Sequence, residues 1–128
     1  METDIYVVKP FDEFEKQVKR LTRKKRFFSL PQQVKELREK LEKGDFDEPP
    51  IFHLDEPMPI DVYKVRLPNS DTNEGKSNGY RVVYMAVSKL KVVVILTIYY
   101  KKEQADATDI YIKGLIDGFF LEYLPDED

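Results

Sequence analysis

The chain has 128 residues, no cysteine and a formal net charge of −3. This length predicts one domain, residues 1–128, that can bury a hydrophobic core without cross-links. The lack of cysteine excludes disulfides, thiolate metal ligands and a cysteine nucleophile. No apolar run reaches the roughly 18 residues that span a bilayer, and Met-Glu-Thr-Asp does not resemble a secretory leader. We therefore expect a cytoplasmic protein with no membrane partner.

Charge is distributed unevenly along the chain. From Lys16 to Arg26 there are seven cations and no acid, whereas Asp117 to Asp128, which includes an acidic tail at about 121–128, holds five acids and no cation. The net charge argues against a protein that coats nucleic acid generally, but a local basic segment can contact phosphates. Lys24 and Lys25 are candidate RNA contacts, or they complement the negative end of a helix dipole.

The first elements are a strand and a helix. Ile5 to Val8 is a β-branched and aromatic run that ends before Pro10, which predicts a strand. From Phe11 the apolar residues recur at intervals of three and four, which predicts an amphipathic helix. The residues of this stripe are Phe11, Phe14, Val18 and Leu21.

A second helix follows after a short break, so the two helices predict an αα-hairpin. Ser29 is a candidate N-cap, and Pro31 falls in the first turn, where its missing N–H costs little. Gly44 fits the C′ position that ends a helix. The buried stripe consists of Val34, Leu37 and Leu41.

The remainder predicts an antiparallel sheet and a last helix. Asp45 to Pro59 holds four of the eight prolines and predicts a loop. Three strands are predicted, with a long polar connection (68–78) between the first two and a short turn between the last two. Their bounds are Ile60 to Leu67, Tyr80 to Val87 and Val92 to Tyr100. The last of these is nearly all apolar, as in a strand buried on both faces.

The final helix is predicted to begin near Thr108. Its inward-facing residues are Ile112, Leu115, Ile116, Phe119 and Tyr123. Helices, an antiparallel sheet and a further helix together predict the α+β class.

Each predicted strand of the meander carries a cation beside its apolar run. These are Lys64 and Arg66, then Arg81, then Lys101 and Lys102. Neighbouring strands lie about 4.8 Å apart, so the cations can converge on one face. Clustered like charges repel, and an anion between them, such as a phosphate backbone, would explain the cluster.

Three sequence segments carry a family resemblance: YKVRL (63–67), GYRVVY (79–84) and LTIYYKKEQ (96–104). With the predicted element order, they resemble the RelE/ParE superfamily of type II toxins. The longer loop at 75–79 and the end of the last strand are most similar to its HigB-like branch. The resemblance implies a microbial-RNase-like domain that cleaves messenger RNA on the translating ribosome and is inhibited by a cognate antitoxin protein.

The resemblance also implies roles for individual residues. Lys64 and Arg66 match the paired cations of the family's second strand, Arg81 the arginine of its GYR motif, and Lys102 a further functional arginine. The RelE branch uses a tyrosine shortly afterwards, where this chain has Thr108, with Tyr111 three residues later. Further candidate RNA contacts are Lys76, Tyr99 and Lys101.

Metal-free RNA cleavage requires a base for the 2′-hydroxyl, charge stabilisation and an acid for the leaving oxygen. The single histidine, His53, falls in the proline-rich loop rather than near the cations. A lysine among other cations gives up its proton more readily, so Lys64 is the candidate base. Arg81 would bind the phosphate bidentately, and Lys102 would stabilise charge or protonate the leaving oxygen. No metal or other cofactor is expected.

Other interpretations stay open at this point. Cations on an exposed sheet face are often only solvated, and strand tyrosines usually pack against neighbours. A ParE-like protein uses the same fold to inhibit DNA gyrase, and a catalytically decayed member would only bind an antitoxin. In every case the basic first helix and sheet face suit an acidic antitoxin segment.

Overall fold

The computed structural model describes residues 5–123. Within this range five strands form one mixed sheet and three α-helices pack on it. The bounds are β1 Val7–Pro10, α1 Asp12–Arg23, α2 Leu30–Glu42, β2 Phe52–Leu54, β3 Ile60–Leu67, β4 Tyr80–Val87, β5 Val92–Tyr100 and α3 Asp109–Tyr123.

The sheet has the strand order β1-β5-β4-β3-β2. Strand β1 pairs parallel to β5, and all other pairs are antiparallel. The predicted α+β class and three-strand meander are confirmed, because β3, β4 and β5 have the predicted bounds. The apolar β5 lies between β1 and β4, and from Val93 onward every residue in it is buried.

Two predictions about extended segments were wrong. Strand β1 begins at Val7 and includes Pro10, instead of running from Ile5 to Val8, because its extent follows the pairing of residues 7–10 with β5. The predicted loop at 45–59 contains a strand, Phe52–Leu54, that pairs with the start of β3. Partner pairing, rather than local sequence, therefore defines both strands.

The predicted αα-hairpin, α1 and α2, covers one side of the sheet, which we call the helix-hairpin face. Gly44 follows α2 at φ 76°, as predicted for its C′ position. Ser29 is the N-cap residue, but its hydroxyl makes no capping bond; instead its N–H donates to the Asp71 carboxylate at 3.0 Å. The core of this face is formed by residues of both helices and by alternate residues of the strands. It includes Leu21, Leu37 and Leu41 of the helices and Tyr63, Tyr80, Val82, Tyr84, Ile98 and Tyr100 of the strands.

Helix α3 packs on the opposite side, the α3 face. Thr108 is its N-terminal cap, because the hydroxyl oxygen accepts the Tyr111 N–H at 3.1 Å. Phe11, assigned above to the first helix, precedes α1 and packs edge-on against Phe119 on this side. The core of this face includes Ile60, Val62, Val83, Met85, Leu96, Tyr99, Ile112, Ile116 and Phe119, with Leu115 partly buried.

The long β3–β4 connection is fixed to its surroundings. Gln33 on α2 donates to the Pro68 carbonyl at 2.6 Å, in addition to the Asp71 contact with the start of α2. At the far end, a β-carbon on Gly79 would lie 2.1 Å from the Leu67 carbonyl oxygen, so only glycine permits this approach. The connection therefore brings β3 and β4 together in one conformation.

The predicted acidic tail and the predicted inward-facing Tyr123 fall partly outside the described residues. The first four residues, residues 124–128 of the acidic tail and the Tyr123 side chain lie outside them. In the part that is described, no helix is long and apolar enough to cross a membrane.

Candidate nucleic-acid interface on the α3 face

Strand register places the cations of β3 and β4 on one side of the sheet. Arg66 pairs directly with Arg81, and Lys64 pairs with Val83, two residues further along β4. Arg81 in turn pairs with Tyr99 of β5. Directly paired residues point to the same face, and Val83 and Tyr99 belong to the α3 core. Lys64, Arg66 and Arg81 therefore share the α3 face.

Lys101 also joins this group, which we call the cation patch: Lys64, Arg66, Arg81 and Lys101. Lys101 lies two residues beyond Tyr99, and its Nζ is 3.2 Å from Asp106 Oδ1, while Tyr99 donates to the same oxygen. Arg66 is exposed, and Lys64 and Lys101 are half-buried. Three of the four cations are thus accessible from solvent.

Arg81 differs from the other three because it is 5% exposed. Its Nη1 donates to the Lys76 carbonyl at 2.8 Å and its Nη2 to the Ser77 carbonyl at 3.0 Å, with a longer bond to the Tyr80 carbonyl. These bonds use three of the five guanidinium donors. Both terminal nitrogens are engaged with the loop backbone and the side chain is buried, so in this conformation Arg81 holds the loop. Bidentate phosphate binding by Arg81 stays a prediction.

Lys102 lies away from the patch. Its Nζ is 2.8 Å from Glu74 Oε2, and Glu74 also accepts the hydroxyl of Tyr100, a residue of the helix-hairpin core. The hydrogen bond from Lys102, with smaller contributions from Tyr100 and Thr72, lowers the pKa of Glu74 to about 2. The predicted role of Lys102 at the phosphate would require it to leave this pair.

Asp106 was missed by the sequence analysis. Its carboxylate contacts Lys101 and the Tyr99 hydroxyl, both at 3.2 Å. The pKa of this carboxyl lies below its usual value, chiefly because of Lys101 and with further contributions from Lys64 and Tyr99. A single acid in a loop gives no sequence signal, because its neighbours come from distant strands. The patch thus contains an anion as well as cations.

Tyr99 does not offer a stacking surface for a nucleobase. The residue is 3% exposed, and its ring lies in the α3 core. Its hydroxyl donates to Asp106 and accepts the Ala107 N–H at 3.2 Å. The ring packs in the core, as strand tyrosines usually do, and the hydroxyl holds the segment after β5. An RNA contact by Tyr99 stays a prediction that only its hydroxyl could make.

Lys76 and Arg66 border a groove along the β3 edge. Strand β2 pairs only with Ile60 to Val62, so the rest of this edge extends beyond β2. The groove has a volume of about 460 Å³ and reaches residues of α2 such as Gln33 and Lys40. Lys76 is exposed, and its carbonyl accepts the Arg81 bond. It is therefore close to the patch.

Lys24 and Lys25 lie elsewhere. Both are exposed at the end of α1, on the helix-hairpin side. Lys25 Nζ is 3.1 Å from Glu103 Oε2, and Arg20 contacts the other oxygen of that carboxylate at 2.6 Å. The structure does not bring these lysines to the cation patch, and a role in RNA contact stays a prediction for them.

His53 is separate from the patch as well. It lies in β2 and pairs with Asp61, which itself pairs with Ala86 of the helix-hairpin core. Its ring nitrogens lie 2.8 Å from Asp61 and Asp55, and these contacts, Asp61 first, raise its pKa. Among residues 5–123 no three acidic, histidine or cysteine side chains form a group that could hold a metal.

Thr108, at the position where the resemblance implies a tyrosine, caps the N-terminus of α3. Thr108 is occupied with the Tyr111 N–H, and the Tyr111 hydroxyl lies 3.5 Å from Glu13 on α1. The hydrogen-bond partners of Thr108 and Tyr111 do not include a patch cation, so these contacts give neither residue the tyrosine's role.

Comparisons with known proteins identify the fold. No protein-family model and no curated protein matches the chain. The crystal structure of the isolated E. coli RelE toxin is similar, with 20% identity, a TM-score of 0.50, and coverage of 88% of this chain and 97% of that one. A mutant of E. coli RelE with two arginines changed to alanine, in the free state, gives 19% identity, a TM-score of 0.54, and coverage of 89% and 97%. The chain has the fold of the RelE toxin, as predicted.

Proposed function

We propose that this protein is the toxin of a type II toxin–antitoxin system and cleaves messenger RNA on the translating ribosome without a metal. One observation carries the proposal: the register that sets Arg66 opposite Arg81 on the face that also holds Lys64. The similarity to the RelE fold supports the class of protein. Assignment to the HigB-like branch stays a prediction.

The proposed reaction uses the solvent-accessible cations directly. The RNA 2′-oxygen attacks the phosphorus, the bond to the 5′-oxygen breaks, and the products are a 2′,3′-cyclic phosphate and a free 5′-hydroxyl. Lys64 reacts as its neutral amine and accepts the 2′-hydroxyl proton, and Arg66 stabilises the charge on the phosphate oxygens. Lys101, rather than the Glu74-bound Lys102, protonates the leaving oxygen.

Arg81 has a positioning role in this proposal. Its bonds to the Lys76 and Ser77 carbonyls fix the loop beside Arg66. Because an unpaired buried guanidinium is costly, those carbonyl bonds are expected to persist when RNA binds. A cognate antitoxin with an acidic segment would cover the patch, and the site of action would be the cytoplasm.

The test is expression in bacteria followed by mapping of transcript ends with and without a translation inhibitor. We expect growth arrest and translation-dependent cuts within coding regions. Lys64→Ala and Arg66→Ala should each slow cleavage about 100-fold or more, the usual cost of removing a group that stabilises transition-state charge. The matched control is Lys89→Ala, an exposed lysine in the turn at the other end of β4.

Other outcomes separate the alternatives. Parental cleavage by the folded Lys64→Ala/Arg66→Ala double variant would contradict the proposal. DNA damage without RNA cuts would favour gyrase inhibition. A folded protein that causes no arrest but binds the antitoxin of its operon would be a binding module only.

A further inference from the structure

The carboxylate of Asp106 lies where a phosphate would bind in the cation patch. Its Oδ1 pairs with the Lys101 ammonium at 3.2 Å and accepts a hydrogen bond from the Tyr99 hydroxyl, also at 3.2 Å. Lys64 is near enough for its charge to act on the same carboxyl. An RNA phosphate presents anionic oxygens that accept bonds from the same ammonium and hydroxyl donors. Asp106 and an RNA phosphate therefore compete for one set of partners.

The exposure of the pair indicates which anion is displaced more easily. The Asp106 side chain is 55% exposed and that of Lys101 is 31% exposed. An ion pair at this exposure contributes little to stability, so breaking it costs little. RNA binding also releases counterions, a gain that Asp106 cannot match. A phosphate can therefore replace the carboxylate without unfolding any element.

The same contacts argue against Asp106 as the general base. Lys101, Lys64 and Tyr99 all stabilise its ionised form and lower its pKa. A carboxylate of low pKa is a poor proton acceptor, because the rate of proton transfer follows basicity. What remains is its negative charge at the centre of a group of cations.

We propose that Lys64, Lys101 and the Tyr99 hydroxyl form a phosphate subsite that Asp106 occupies in the free protein, and that RNA binds by displacing this carboxylate. The inference rests on the proposed function, since it takes the cation patch as the RNA site. Asp106 would lower the affinity for RNA that contacts the protein only here. RNA presented with further contacts, as on a ribosome, would still bind.

The experiment measures binding of an unstructured single-stranded RNA oligonucleotide to the purified full chain at several salt concentrations. Asp106→Asn removes the charge and keeps an oxygen that can accept the Tyr99 bond. We expect about two- to fivefold tighter binding at low salt, the range of an exposed ion pair. The slope of log affinity against log salt should stay close to that of the parent, because both proteins make the same phosphate contact once RNA is bound.

Asp109→Asn is the matched control, because Asp109 is an exposed acid three residues further along that has the same effect on net charge. It should bind RNA as the parent does. Thermal unfolding of each variant verifies that it is folded. Lys64→Ala should weaken binding both with and without the Asp106→Asn change.

Each outcome decides the question. Unchanged or weaker binding by Asp106→Asn overturns the inference, and so does an equal gain by Asp109→Asn. In either case translation-dependent cleavage by the parent would leave the proposed function standing. Tighter binding by Asp106→Asn without ribosomal cleavage would support the subsite and contradict the nuclease. No RNA binding by the parent or by Asp106→Asn would overturn the inference.

Discussion

The two faces of the sheet use alternate residues of the same strands for different purposes. On the helix-hairpin face Tyr80, Val82 and Tyr84 are fully buried. On the α3 face Val83 and Met85 are equally buried. The same face also carries Arg81, and on the neighbouring strand β3 it carries Arg66 and Lys64, which solvent can reach. One face stabilises the fold along its whole length, whereas the other combines a core with a charged surface.

This difference shows how a small domain can carry a cluster of cations without losing stability. The covered face gives strands β3 to β5 fixed positions, and those strands hold the cations close together. Like charges brought together repel, and the patch limits that cost by solvent exposure at Arg66 and by Asp106 at Lys101. Substitutions on the two faces should therefore separate stability from the proposed RNA cleavage.

Tyr84→Ala should have the largest effect on stability. The ring is fully buried and stacks on Tyr63 with centroids 5.1 Å apart, and its hydroxyl donates to Asp47 at 2.7 Å. Loss of a buried aromatic lowers the free energy of unfolding by about 3–5 kcal/mol, measurable by urea denaturation. Tyr84→Phe, which keeps the ring, should lose about 1–2 kcal/mol. If the faces act separately, the rate of RNA cleavage per folded molecule is unchanged in Tyr84→Phe. A large loss of cleavage by folded Tyr84→Phe would show that the two faces are coupled.

Gly79→Ala should have an intermediate effect that reaches both faces. Its new methyl group would collide with the Leu67 carbonyl, and relief requires β3 and β4 to move apart at the end that carries Arg66 and Arg81. We expect a loss of about 1–3 kcal/mol together with slower cleavage. Gly75→Ala is the control, because a β-carbon there has no neighbour within 4 Å. Equal effects of the two substitutions would contradict the close-approach explanation.

Glu74→Gln should have the smallest effect on stability, a loss relative to the parent that is present at neutral pH and disappears in acid. Lys102, Tyr100 and Thr72 lower the pKa of Glu74 from 4.5 to about 2. A carboxyl with a lowered folded-state pKa stabilises the protein above its unfolded pKa, and this contribution is lost as pH falls from 4.5 to about 2. The parent should lose stability more steeply than Glu74→Gln over that range, with Glu39→Gln on α2 as control. Cleavage at neutral pH should be unchanged, since the pair lies off the patch.

The sequence predicted those elements that local patterns determine. Strands β3, β4 and β5 have apolar and β-branched runs bounded by turns, and their bounds were predicted correctly. The stripe of α2 and the C′ glycine at residue 44 were also local signals. Strand β2 was missed because three residues in a proline-rich segment become a strand only through pairing with β3.

The site was predictable only in part, for a similar reason. Alternation along β3 was enough to group Lys64 with Arg66, and the predicted meander, with strands about 4.8 Å apart, added Arg81. The depth of Arg81 could not be predicted, because its carbonyl partners come from a loop whose path is set by α2. The different positions of Lys101 and Lys102 could not be predicted either, because they follow from ion pairs with Asp106 and Glu74, acids in separate connections.

The tripeptide Gly79-Tyr80-Arg81 is explained by architecture at every position. The glycine allows a backbone crossing, the tyrosine is wholly enclosed, and the arginine ties down a loop. A relative that keeps these three residues would consequently keep this local shape, whether or not it cuts RNA. Sorting active enzymes from inactive ones would need the accessible side chains around it.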